Sequence, residues 1–116
     1  MASPRRIEKI NELIREEISK ILLREYNAPV GVFITITRVK TDSDLYRVQI
    51  FVSVFPSEKS AEIIRRLNSK AVLFRQGLAD VLKIKFVPNI YFLEDKYLKT
   101  EENLEKTFEK IEKENL

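Results

Sequence analysis

Between Tyr46 and Phe55 the chain alternates: Tyr46, Val48, Ile50, Val52 and Val54 take one side, and Arg47, Gln49, Phe51, Ser53 and Phe55 the other. Successive side chains of a strand point to opposite faces, so this row reads as a strand whose Val/Ile side meets a core. The preceding run Val32-Phe33-Ile34-Thr35-Ile36-Thr37-Arg38-Val39 is rich in β-branched residues and reads as a second strand. Thr41-Asp42-Ser43-Asp44 lies between them, and short polar side chains of this kind bond back to their own backbone in turns. The pair is an antiparallel hairpin. A hairpin alone is marginal in water, so the apolar face requires cover from elsewhere in the chain.

Helices on either side supply that cover. Ile7, Ile10, Ile14, Ile18 and Ile21 recur at three- and four-residue spacing, widened by Leu13 and Leu22, behind a Ser3-Pro4 start that suits a helix cap. This helix is expected to end near Tyr26-Asn27-Ala28-Pro29, since the residue before proline avoids helical geometry. After Pro56, Ser57 can cap a second helix, along which Ile64, Leu67, Ala71, Phe74, Leu78 and Val81 keep a helical rhythm. Such a helix is long for this chain, so a kink is expected, with Asn68-Ser69 and Gly77 as the weak points. Val87-Pro88-Asn89-Ile90-Tyr91-Phe92-Leu93-Glu94-Asp95 reads as a third strand, with Pro88 at its start or on a sheet edge. From Lys96 the chain is Lys/Glu-rich, with only Leu104, Phe108 and Ile111 as a stripe, and reads as a marginal helix or a disordered tail. The order is α-β-β-α(kinked)-β, an α+β domain over residues 1–95 with helices on one face of a three-stranded sheet, and a charged tail over 96–116.

Composition narrows the chemistry. The chain has no cysteine and no histidine, which removes disulfides, thiolate nucleophiles, Cys/His metal sites and the commonest general base at neutral pH. No carboxylates cluster among apolar residues, so neither catalysis nor a metal or other cofactor is expected. The longest apolar run, Val30 to Ile36, is broken by Gly31 and Thr35, far short of a membrane span, and no secretory leader is evident; a cytoplasmic protein is expected. Net charge is only +3, but from Lys59 to Lys85 there are seven cations against two anions. A polyanion-binding surface needs such a concentration, although a solvated helix face produces one too. The candidate contacts are Arg66 and Lys70, one turn apart if the helix is unbroken, then Arg75, Lys83 and Lys85, with Arg5, Arg6 and Lys9 at the first helix. Each has a bland alternative: Arg66 can pair with Glu62, and Arg75 can lie on an aromatic ring. Phe51 and Phe55 share a strand face, which either stays open for stacking on bases or lies beneath the tail or a helix edge, the commoner fate of apolar surface.

The element order is that of a type II KH domain, and the residues resemble the ribosome-binding factor A family. The resemblance rests on Arg6-Ile7 opening a helix that closes Ile21-Leu22-Leu23-Arg24-Glu25, and on the hairpin Ile36-Thr37-Arg38-Val39 to Val52-Ser53-Val54. It rests also on the run from Phe74-Arg75 through Leu82-Lys83-Ile84-Lys85-Phe86-Val87-Pro88 to Asp95. KH domains grip nucleic-acid backbone with a Gly-X-X-Gly loop, which two glycines as distant as Gly31 and Gly77 cannot form. The family is understood to use a kinked helix bearing Ala-X-Gly instead, and at that place this chain has Lys70-Ala71-Val72. The resemblance implies a monomeric assembly factor that binds the small ribosomal subunit and its ribosomal RNA in late maturation, assisting processing of the RNA's 5′ end. It implies no small-molecule substrate and no membrane partner. The residues alone leave open a generic single-stranded nucleic-acid binder or a protein–protein adaptor.

Overall fold

A computed structural model describes residues 3–83, 86–96 and 101–115, except for the side chains of 101–107. Helix α1 spans Pro4–Glu25, and the Arg6 N–H donates to Ser3 Oγ at 3.2 Å, the cap expected of Ser3-Pro4. Ile14, Ile18, Ile21 and Leu22 form its buried stripe, and the chain turns extended at Tyr26. Strand β1 is Phe33–Thr41 and β2 is Arg47–Phe55, antiparallel, with Ile34 opposite Val54 and Ile36 opposite Val52. In the turn, Leu45 N–H donates to the Asp42 carbonyl and Tyr46 N–H to Asp44 Oδ1.

Register shifts between Ile36 and Arg38, where Thr37 is the extra residue of a bulge. Strict alternation from Ile34 and Ile36 would send Arg38 into the core and Val39 into water. The bulge reverses that. Val39 packs against the core, Thr41 Oγ1 reaches Asn11 Oδ1 on α1, and Arg38 and Lys40 face outward.

Beyond β2 the chain makes a 3-10 turn, Ser57–Lys59, before α2 at Ser60–Ser69. Ser57 makes no capping bond, contrary to expectation, because the α-helix begins three residues later. Helix α3, Ala71–Leu82, follows after a single break at Lys70 (φ −103°, ψ 17°). The break thus directly follows Asn68-Ser69, at the Lys70-Ala71-Val72 segment. Gly77 causes no break. A Cβ there would lie 2.2 Å from Ile21 Cδ1, so its bareness lets α1 and α3 approach closely. Strand β3, Asn89–Glu94, starts just after Pro88 and runs parallel to β2, completing the order β1-β2-β3.

The sheet has two unlike faces. On one, Val48, Ile50, Val52 and Val54 with Ile90 and Phe92 meet Ile14, Ile18 and Ile21 of α1, Ile63 and Leu67 of α2, and Phe74 and Leu78 of α3. The three helices lie on the face where helices were expected. The tail adds another layer. Helix α4, Glu101–Glu114, covers part of the opposite face, burying Phe108 and Ile111 against Phe51, Tyr91 and Leu93. Phe108 and Ile111 thus bury more than so sparse a stripe implied; the Leu104 side chain lies outside the described residues.

Candidate nucleic-acid interface

The break between α2 and α3 is pinned to the sheet. Asn68 is buried, its Nδ2 donating to the Phe92 carbonyl at 2.9 Å while the Phe92 N–H donates to its Oδ1 at 2.7 Å. One side-chain amide thereby satisfies both outward backbone groups of a residue on edge strand β3. Ser69 Oγ donates to the Arg66 carbonyl at 2.6 Å, Lys70 N–H to Leu67, and Leu73 N–H to the Lys70 carbonyl. Lys70 is therefore an exposed ammonium on a hinge whose backbone is fixed on both sides.

Lys83 occupies the other end of α3. It closes the helix in the left-handed region (φ 51°, ψ 37°), and it is exposed. Arg6 lines a cavity of about 130 Å³ with Ile10, Leu13, Leu45, Val81, Leu82 and Pro88, so the start of α1 lies beside the end of α3. Arg5, Arg6 and Lys9 are exposed there, and the first turn of α1 carries no acidic residue to compete with an anion. The twelve residues of α3 separate Lys70 from Lys83, about 20 Å at about 1.5 Å per residue step. The basic centre is thus two positive ends joined by a rigid rod.

The eight cations picked out in the sequence fare differently. Arg66 donates to Glu62 at 2.8 Å, the bland alternative for that residue. Arg75 turns inward, Nε to the Pro88 carbonyl at 3.2 Å and Nη2 to the Val87 carbonyl at 3.1 Å, holding the approach to β3 rather than lying on a ring. Lys85 lies outside the described residues. Arg5, Arg6, Lys9, Lys70 and Lys83 make no ion pair with a described residue.

Phe51 and Phe55 part company. Phe51 is 4% exposed beneath α4, with the Arg38 guanidinium 4.1 Å from its ring centroid, whereas Phe55 is 68% exposed. Sequence reasoning overlooked Asn68 as a clamp, and also the cations Arg38, Lys40 and Arg47 on the hairpin. The latter were legible, since β1 and β2 hold these three cations and no carboxylate. Among the described residues no group of three or more Asp or Glu could hold a metal ion, and no described helix is long and apolar enough to cross a membrane.

A sequence model of ribosome-binding factor A matches residues 6–108, nearly the whole chain and well into α4. The chain belongs to the ribosome-binding factor A family. A ribosome-binding factor A from Dictyoglomus thermophilum is 43% identical over 89 residues, covering 75% of this chain and 74% of that protein. The solution NMR structure of a Thermotoga maritima protein superposes with a TM-score of 0.72 at 25% identity, covering 86% of this chain and 96% of that one. Thermus thermophilus ribosome-binding factor A, a homology model fitted into a cryo-electron microscopy map of its complex with the 30S subunit, gives 0.61 at 17% identity, covering 77% and 94%. At that identity the likeness concerns the fold, which is the α+β fold of ribosome-binding factor A.

Proposed function

We propose that this chain is a ribosome assembly factor that binds the small ribosomal subunit through its ribosomal RNA late in maturation and assists processing of the RNA's 5′ end. It acts by binding and not by catalysis, as a cytoplasmic monomer without a cofactor. The observation that carries this reading is the set of exposed cations without ion pairs, Arg5, Arg6, Lys9, Lys70 and Lys83, at the two ends of the rigid α3. The 30S complex of the Thermus thermophilus relative supports the choice of subunit.

The major groove of an A-form helix is too deep and narrow for side chains, so a protein reads such RNA by its shape and phosphates. Flexible ammonium and guanidinium groups on a fixed frame suit that task, and the frame sets which phosphate spacing fits. An RNA conformer presenting phosphates at that spacing is stabilised over others by its differential affinity, and this is how a binder without catalysis steers folding. Co-sedimentation of the purified chain with small subunits, large subunits and intact ribosomes tests the reading. A preference for the isolated small subunit is expected, and absence of subunit binding would reject it. Binding that weakens steeply with salt is expected of phosphate contacts, whereas an apolar adaptor interface would hold.

A further inference from the structure

Phe33 and Phe55 stand directly opposite each other at one end of the hairpin, 66% and 68% exposed. They lie on the same sheet face as Phe51, but α4 covers only Phe51. Opposed side chains on an antiparallel pair have Cβ atoms about 5 Å apart, so the two rings form one aromatic surface. Beside them lie the small polar pair Thr35 and Ser53, both exposed, then Arg38 and Lys40, which the Thr37 bulge turns to this face.

We propose that this open strip is a stacking platform for unpaired nucleotides of RNA, separate from the cations at the ends of α3. The claim rests on the RNA-binding reading above and names a second class of RNA element within it. Isolated exposed phenylalanines are ordinary, but two in register on strands without a carboxylate are not. The chemistry favours a polyanion with π faces over a protein: bases stack on the rings, Thr35 and Ser53 leave room between, and Lys40 meets phosphate. Arg38 is shared with Asp95 at 3.6 Å and with the Phe51 ring, so it contributes less. From Phe33 to Lys40 the strip runs about 23 Å at 3.3 Å per residue, enough for a few extended nucleotides.

Stacking and charge separate experimentally by removing the bases. Binding of the full chain to a labelled oligouridine of about ten nucleotides is compared with binding to an abasic strand of equal length. A base stacked on an aromatic ring changes affinity by about 5- to 150-fold, so Phe33→Ala/Phe55→Ala should lower oligouridine affinity at least about 5-fold and leave abasic affinity unchanged. Phe55→Tyr should retain binding. Both rings are exposed, so thermal unfolding of the double variant should match the parent. No oligouridine binding by the parent, or equal affinity of parent and double variant, overturns the proposal. So does loss of small-subunit co-sedimentation with oligouridine affinity intact, which would make the strip a protein-docking surface. If the parent ignored ribosomal subunits yet lost base-dependent affinity on substitution, the subunit assignment would fall and the platform would stand.

Discussion

The two faces of the sheet are held by different physics. Toward α1, α2 and α3 the side chains are almost wholly aliphatic, joined by Phe74 packed edge-on to Phe92 at 4.9 Å between centroids. Stability there follows the apolar area removed from water. Toward α4 the apolar cluster is small and framed by polar groups. Arg38 lies over Phe51, Arg47 lies 4.9 Å from the Phe108 centroid, Tyr91 sits 4.6 Å from Phe108, and the Tyr91 hydroxyl donates to Glu112. A face of the first kind specifies the fold. A face of the second kind adds a layer to a fold already specified, and it belongs to the less stable part of the molecule.

That contrast can be broken at either face. Ile50→Ala removes a fully buried side chain from the centre of the first face and should cost roughly 2–5 kcal/mol in urea unfolding. A change within error would mean that the large core is not where stability resides. Ending the chain after Lys96 removes α4 and uncovers Phe51, Tyr91 and Leu93. A loss of about 2–4 kcal/mol is expected, with one cooperative transition retained, because burial of Phe108 and Ile111 is partly offset by the ordering of the helix. Disappearance of the transition would show the two faces to be one cooperative unit. Asn68→Ala leaves two backbone groups of Phe92 without their partner and should cost about 1–3 kcal/mol, with faster amide exchange along β3. Arg47→Gln should cost least, about 0.5–1 kcal/mol, and less still in the chain ending at Lys96, where the Phe108 ring is gone. Equal cost in both backgrounds would detach Arg47 from α4.

How much of this was legible in the sequence follows the same division. The first face announced itself through periods of two and 3.6, since β2 and α1 each carry a repeated apolar stripe that only a core explains. The second did not, because three apolar residues amid Lys and Glu resemble a solvated helix until Phe51, Tyr91 and Leu93, remote in the chain, supply a matching surface. The Thr37 bulge was equally hidden, since Thr37-Arg38-Val39 fits a regular strand. Gly77 read as a weak point in a helix, whereas its role depends on Ile21 of another element. In the candidate site, composition located the positive charge but could not sort it. Only packing shows that Arg75 holds two carbonyls and Arg66 a carboxylate while Lys70 and Lys83 remain available.

That sorting is the central claim, and the salt dependence of small-subunit binding tests it most directly. Each lost phosphate contact flattens the plot of log affinity against log salt by about 0.7–0.9, so Lys70→Ala/Lys83→Ala should flatten it by about 1.4–1.8 and bind more weakly, with thermal unfolding unchanged. Arg66→Ala, measured alongside, should leave the slope nearly intact because that guanidinium already has Glu62. A parental slope in the folded double variant, or an equal flattening by Arg66→Ala, would contradict the assignment of the free cations at the ends of α3 as the phosphate-binding groups.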